Sequence, residues 1–314
     1  MTLFLIAEAN SDVGYGHLGE IRAVARALEP RGVPMRQIAI GDAAGVESVR
    51  DFNAISALLR SHAPRAIVWS VRTKGWREIW RNLPATTRHV WIADVADDYP
   101  NVDALIVPTL DPRWRDGGSR THVFAGPEYF PLDVRGPREI PPVAARPRDV
   151  LLTLGGADRT EASLRIVPAL EGTRSTVVIG PGFRHAEQVR RAASAAGIES
   201  APAPDGLREL LVQHRIVISA GGNTLFEAAA AGTPALVAWE DPHEEAQGKS
   251  FEQRGTALVL GRGAAIEIDR LRSALAQISS KLETMSAAGP RLIDGRGAER
   301  IADLLIELAH GAAA

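Results

Sequence analysis

Ser219-Ala220-Gly221-Gly222-Asn223-Thr224-Leu225-Phe226-Glu227, in the second half of the chain, reads as strand end, glycine turn and helix start in nine residues. The apolar, β-branched run 215–219 predicts a buried strand, and the glycine pair breaks it. Asn223 or Thr224 then caps a helix that continues through the alanines to Gly232. Such a junction aims unpaired backbone N–H groups at one spot, and the missing side chains let an anion come close. A nucleoside diphosphate suits it, with Glu227, one turn into the helix, accepting hydrogen bonds from ribose hydroxyls. Thr224-x-x-Glu227 also satisfies the capping-box pattern, which needs no ligand.

Around this junction the second half alternates strand and helix, with strands expected at 149–154, 175–179, 215–219 and 234–239 and helices from there to the end. A second glycine pair, Gly155-Gly156, closes the first of these strands. The last helix carries Ile301, Leu304, Leu305 and Leu308 on one face. The first half has the same grammar. Strands are expected at 2–7, 36–40, 66–71, 89–93 and 104–107. Helices are expected at 18–28, across Val46, Val49, Phe52, Ile55 and Leu59, and at 75–83. Trp76 and Trp80, four apart in that last segment, read as core packing. Alternation of this kind predicts parallel, doubly wound sheets. Between them periodicity stops where Pro137, Pro141, Pro142 and Pro147 crowd together. The expected organisation is an α/β domain over 1–136, a proline-rich linker over 137–148 and a second α/β domain over 149–295. A final helix over 296–314 is free to pack back on the first domain. Ligands of such sheets bind at the carboxyl ends of the strands, in a cleft that two facing domains would share.

Composition narrows the classes. With 314 residues the chain is long enough for two cores. Its 45% hydrophobic and 24% charged content is that of a globular protein, and a net charge of −2 gives no nucleic-acid surface. There is no cysteine, which excludes disulfides, thiolate catalysis and cysteine-ligated metal. The N-terminal apolar run is too short for a signal peptide, and no run approaches the roughly 20 residues needed to span a bilayer. A cytoplasmic enzyme or binding protein is the expectation.

Gly14-Tyr15-Gly16-His17-Leu18-Gly19 is a literal G-x-G-x-x-G, with Asp42 beyond it at the distance of a ribose-binding acid. A dinucleotide site, however, needs its first glycine immediately after the strand, and residues 8–13 intervene. The loop instead delivers His17 to the first turn of a helix. There the macrodipole disfavours an imidazolium and keeps the ring able to accept a proton.

Taken with Gly126-Pro127-Glu128-Tyr129, Leu151 through Asp158, Ile218 through Pro234 and Asp294-Gly295-Arg296-Gly297-Ala298, these residues form a set. The set resembles the UDP-sugar hydrolase of pseudaminic acid biosynthesis and the related spore-coat polysaccharide proteins. More distantly it is similar to the N-acetylglucosaminyl transferase of peptidoglycan synthesis. The resemblance spans nearly the whole chain and implies a GT-B fold of two Rossmann-like domains, with the nucleotide on the C-terminal one. It implies that Gly155, Gly156, Gly221, Gly222, Asn223 and Thr224 line the diphosphate, Glu227 the ribose, and that His17 is catalytic. Asp12, Gly14, Tyr15, Gly16, Asp94, Glu128, Tyr129 and Gln247 are the further substrate-facing candidates. The departures are specific. Glu20 stands where the family has arginine, Trp69-Ser70-Val71 replaces its Asp-Ser-Tyr, Ala246 its asparagine before Gln247, and Ala93 one of its aspartate pair.

The reaction expected is hydrolysis of a nucleotide sugar, UDP-linked, with His17 as base and no metal or other cofactor. The rival is a GT-B glycosyltransferase in which an acceptor hydroxyl replaces water. That reading would favour a membrane-associated patch, for which Trp76-Arg77-x-x-Trp80-Arg81 is the candidate. The third reading is a non-catalytic nucleotide-sugar binding protein.

Overall fold

The computed structural model describes residues 2–10, 13–93, 99–110, 122–132, 139–204 and 206–311. The chain divides into two compact units, Met1–Asp133 with Gly295–Ala314, and Val134–Asp294. In the first unit the strands are β1 (Leu3–Ala9), β2 (Met35–Gly41), β3 (Glu47–Val49), β4 (Ala66–Ser70), β5 (Arg88–Ile92), β6 (Ala104–Val107) and β7 (His122–Ala125). They form one parallel sheet in the order β3-β2-β1-β4-β5-β6-β7. Its helices are α1 (Gly16–Leu28), α2 (Phe52–His62) and the single turn α3 (Trp76–Ile79).

The second unit holds β8 (Arg148–Thr153), β9 (Thr176–Ile179), β10 (Glu199–Pro202), β11 (His214–Ser219), β12 (Ala235–Trp239) and β13 (Ala257–Arg262). These are again all parallel, in the order β10-β9-β8-β11-β12-β13. Its helices are α4 (Ala162–Ile166), α5 (Ala186–Ala195), α6 (Arg208–Gln213), α7 (Thr224–Ala230), α8 (Pro242–Gln253), α9 (Ile268–Ser279) and α10 (Leu282–Leu292). The last helix, α11 (Gly297–Gly311), belongs to the first unit.

A parallel strand covered on both faces is apolar almost throughout, and every residue of β1, Leu-Phe-Leu-Ile-Ala-Glu-Ala, is buried. Leu3, Leu5, Ala7 and Ala9 share a core with Leu18, Ile21, Val24 and Leu28 of α1 and with Ile301, Ala302 and Leu305 of α11. Phe4 and Ile6 point the other way, into a core with Phe52, Ile55 and Leu59 of α2 and with Trp69, Trp76 and Trp91. Trp76 packs edge-on against Trp80 and Trp91, at 6.0 and 5.7 Å between ring centroids. The indole of Trp76 is thus spent on the core and is not a surface platform.

Several local expectations are corrected. Val46 and Val49 do not open a helix: the chain makes the short edge strand β3, and α2 starts only after Asp51, whose carboxylate accepts the Ala54 N–H at 3.0 Å. A committed side-chain cap outweighs a weak apolar period upstream. The 75–83 segment is one α turn followed by a 3₁₀ turn, Trp80–Asn82, not a continuous helix. Chain beyond residue 239 is not all helical, since β13 adds to the sheet. The strands β3, β7, β10 and β13 went unanticipated because they lie at sheet edges. One side of each is partly exposed, so none shows the apolar run of a central strand. No helix among the described residues is long and apolar enough to cross a membrane.

The Gly295-Arg296-Gly297 motif receives a packing reason. A Cβ added at Gly297 would lie 2.1 Å from the Phe130 carbonyl oxygen and 2.6 Å from its carbon, so only glycine lets α11 start against that loop. Arg300, one turn on, donates to the Glu128 carbonyl at 2.8 Å. Gly297→Ala is therefore expected to cost about 1–3 kcal/mol, the usual range for overpacking a fixed backbone contact. Urea unfolding measures it; a midpoint equal to that of the native protein would show the contact relaxes freely.

Candidate functional site

Strand order reverses between β1 and β4 in the first unit and between β8 and β11 in the second. In open parallel sheets the crevice beyond the carboxyl ends of such strands is where ligands bind. The residues singled out by sequence fall at both reversals.

In the first unit, β1 ends at Ala9, and its loop closes on itself before α1. The Gly14 N–H donates to the Asn10 carbonyl at 2.8 Å, and the Val13 N–H to Asn10 Oδ1 at 2.9 Å. Gly14 has φ of 92°, and Tyr15 occupies the N-cap position of α1 without a side-chain cap bond. This is not the tight turn of a dinucleotide site. His17, second residue of α1, is 6% exposed. Its Nδ1 lies 2.9 Å from Ser70 Oγ at the end of β4, and the Ser70 hydroxyl donates to Glu20 Oε2 at 2.6 Å. Glu20, which reads as a departure from the family pattern, and Ser70, the serine kept within the altered triplet 69–71, are thus the immediate surroundings of the candidate base.

Glu8 escaped sequence reading altogether. It is buried at the carboxyl end of β1, where it accepts the Arg72 and Thr73 N–H groups at 2.7 and 2.6 Å and the Thr73 hydroxyl. Its carboxylate thereby holds the loop after β4. A lone glutamate in an apolar strand was the available signal, because a buried charge demands partners.

Of the other first-unit candidates, Glu128 and Tyr129 lie in a 3₁₀ turn where α11 begins, with Tyr129 packed edge-on to Phe124 at 5.6 Å. No described contact links them to His17. Asp12 and Asp94 lie outside the described residues.

In the second unit both glycine pairs flank the reversal, Gly155-Gly156 after β8 and Gly221-Gly222 after β11. Gly221 has φ of 111°, and a Cβ there would meet the Glu244 carbonyl at 2.9 Å, so glycine is required twice over. Gln247 donates its side-chain amide to the Gly221 and Gly222 carbonyls at 2.6 and 3.1 Å. Its nitrogen thereby shapes the turn. The helix after the turn starts at Thr224, so Thr224 is its first helical residue, and Asn223 holds the N-cap position without a side-chain cap bond. The Thr224-x-x-Glu227 capping box is therefore not formed, which corrects that expectation, and Glu227 is half-buried one turn in.

The Gly155-Gly156 turn is braced by a pair that sequence reasoning missed. Asp158, with φ of 42°, accepts the Ala162 and Ser163 N–H groups at 2.9 and 3.0 Å and lies 3.0 Å from His185 Nε2. Both side chains are buried. Asp158 stood inside a recognised motif, but His185, 27 residues on, offered no local signal.

Glu244 sits beside Gly221 and carries a shifted acidity. Burial first, then the neighbouring Asp241 and Glu240, push its carboxyl up to about 7 from 4.5, against hydrogen bonds from the Glu240 and Asp241 N–H groups. A carboxyl raised in the folded state binds its proton more tightly there than in the unfolded chain. Its contribution to stability is therefore present below pH 4.5 and is lost as pH rises toward 7. Glu244→Gln is expected to raise the melting temperature more at pH 8 than at pH 5. Equal increments at the two pH values would contradict a proton held by Glu244.

No protein-family model matches the chain. It is similar to the spore coat polysaccharide biosynthesis protein SpsG of Bacillus subtilis (strain 168), at 29% identity over 205 residues, 60% of this chain and 59% of that one. It is also similar to the UDP-N-acetylglucosamine–N-acetylmuramyl-(pentapeptide) pyrophosphoryl-undecaprenol N-acetylglucosamine transferase of Pseudomonas putida (strain GB-1). There the identity is 29% over 185 residues, 54% of this chain and 51% of that one. The matches span between half and three-fifths of these relatives' lengths. Among solved structures, MurG of Acinetobacter baumannii superposes with a TM-score of 0.68 at 14% identity, covering 98% of this chain and 100% of that one. The fold is GT-B. Each unit is one of its Rossmann-like halves, and the second carries the two glycine turns.

Proposed function

We propose that this protein hydrolyses a nucleotide sugar, UDP-linked, at its anomeric carbon, releasing nucleoside diphosphate and free sugar for surface polysaccharide or glycoconjugate synthesis. The observation that carries the reading is the coincidence of each unit's strand-order reversal with its chemistry-bearing residues. One unit has a histidine there, the other two glycine turns. In this reading Gly155, Gly156, Gly221, Gly222, Asn223 and Thr224 receive the diphosphate and Glu227 the ribose. Gln247, Glu128 and Tyr129 remain candidates for the sugar. His17 takes a proton from the attacking water. A nucleoside diphosphate leaves readily with its own charge, so a base and an electropositive cradle suffice, and the step as written calls for no metal.

Likeness to the Bacillus subtilis polysaccharide protein supports the pathway class, and likeness to a UDP-N-acetylglucosamine-using transferase supports the UDP-linked substrate. The second similarity also favours the rival reading, a glycosyltransferase in which an acceptor hydroxyl takes the place of water at the same base.

The test has two stages. Thermal stabilisation across nucleoside diphosphates should single out one base, with UDP expected. A panel of sugars on that nucleotide, incubated in water with and without acceptor alcohols, should then yield free sugar. Product only with an acceptor makes the protein a transferase. Intact substrate throughout makes it a binding protein.

A further inference from the structure

Three polar side chains sit where the core face of the first unit calls for apolar ones. His17 and Glu20 are one helical turn apart at the head of the stripe that continues as Ile21, Val24 and Leu28, so both face the sheet. Ser70 follows Ala66 and Val68 on the same face of β4 and is fully buried. An apolar trio would fill this space at lower cost, because a buried carboxylate, imidazole and hydroxyl each need a hydrogen bond.

The direction of the bonds sets the chemistry. Serine has one hydroxyl proton, and an ionised carboxylate only accepts. Ser70 gives its proton to Glu20 Oε2 at 2.6 Å. Toward His17, 2.9 Å away, Ser70 Oγ then offers lone pairs alone, so Nδ1 is the ring nitrogen that carries hydrogen. A neutral ring with hydrogen on Nδ1 holds its lone pair on Nε2.

We infer that Glu20 and Ser70 are positioning residues that hold His17 in the tautomer whose Nε2 accepts a proton. The use of that tautomer rests on the hydrolase reading above; its existence does not. In the step, Nε2 takes one proton from water while the water oxygen bonds to the anomeric carbon. The bond from that carbon to the diphosphate oxygen breaks, and its electron pair leaves with the nucleoside diphosphate. The imidazolium keeps its Nδ1 hydrogen on Ser70, and the Glu20 carboxylate, 3.8 Å from Nδ1, balances the new charge. No acid stands in the first turn of α1, so without Glu20 the helix start would oppose that charge.

Long-range proton–nitrogen NMR of nitrogen-15-labelled protein, at a pH where the ring is neutral, reports which nitrogen bears the proton. His17→Ala identifies the signal among the eight histidines. The native ring is expected with hydrogen on Nδ1 and a lone pair on Nε2, a measurement that needs no variant beyond the one used for assignment. In Glu20→Gln the new amide can donate to Ser70, whose hydroxyl then donates to Nδ1, and the ring proton moves to Nε2. Turnover in that variant should fall about 10–100-fold, with nucleotide affinity unchanged, the usual range for a residue orienting a functional imidazole. Ser70→Ala should mix the tautomers and lower turnover similarly. A native ring protonated on Nε2, a ring unmoved by both variants, or full turnover with a displaced proton would each overturn the inference. A native protein that turns over no nucleotide sugar would instead sink the hydrolase reading, and the spectrum would still decide the tautomer.

Discussion

Replacing His17 by alanine is expected to lower turnover of the nucleotide sugar by about 10²–10⁴-fold, the ordinary contribution of a general base. Nucleotide affinity should stay near native, because the residues assigned to the nucleotide belong to the second unit. The two effects separate the roles: a packing residue would change stability and leave turnover, whereas a base does the reverse. His17 is 6% exposed and bonded through Ser70 to Glu20, so the alanine variant also removes a partner from a buried serine. His17→Asn keeps a donor toward Ser70 and no imidazole, and it should be as inactive as alanine with a smaller loss of stability. Steady-state kinetics with the substrate found in the panel, beside a melting curve for each variant, makes the comparison. Full turnover in His17→Ala would move the base elsewhere, with Asp12 or Glu128 the next candidate.

Replacing Arg146 by methionine is expected to destabilise the second unit by about 3–5 kcal/mol, which is roughly 10 °C or more in melting temperature for a unit of this size. Arg146 is 2% exposed, and its guanidinium is spent on oxygen acceptors without a carboxylate among them. Nη1 donates to the Leu211 and His214 carbonyls at 3.2 and 3.0 Å and to Thr233 Oγ1 at 2.7 Å. Nη2 donates to the Ala231 and Gly232 carbonyls at 2.9 and 3.1 Å, and Nε to Pro141 at 3.3 Å. The cost of burying that charge shows in its acidity: burial lowers it to about 10, with Glu283 pulling the other way.

One cation thus ties the proline-rich segment, the start of β11 and the carboxyl end of α7, where unsatisfied carbonyls and the negative dipole end call for it. Methionine fills the volume and leaves these oxygens without their donor. Lysine carries the charge but only three donors on one atom, so Arg146→Lys should recover part of the loss. A melting temperature within a degree of native for Arg146→Met would show that other donors replace the guanidinium.

The elements that sequence made legible are those whose cause is local. The central strands β1, β4, β8, β11 and β12 are buried on both faces and read as apolar runs. Glycine pairs mark the turns after β8 and β11. The stripe of α1 repeats at helical spacing. The same locality made His17 stand out at a helix start.

What lay beyond sequence depends on residues far apart in the chain. Glu20 reads as a loss from a family pattern, and Ser70 as the one residue kept of an altered triplet. They meet only because α1 lies across β4, which brings residues 50 apart in sequence to 2.6 Å. Arg146 sits in a stretch that reads as linker, and its partners reach up to 87 residues away. The order of strands, and with it the two reversals where the candidate residues gather, follows from which edges pair. Composition and periodicity define which face of a strand is buried, but a parallel strand offers its hydrogen bonds to any neighbour alike, so order is decided by tertiary packing alone.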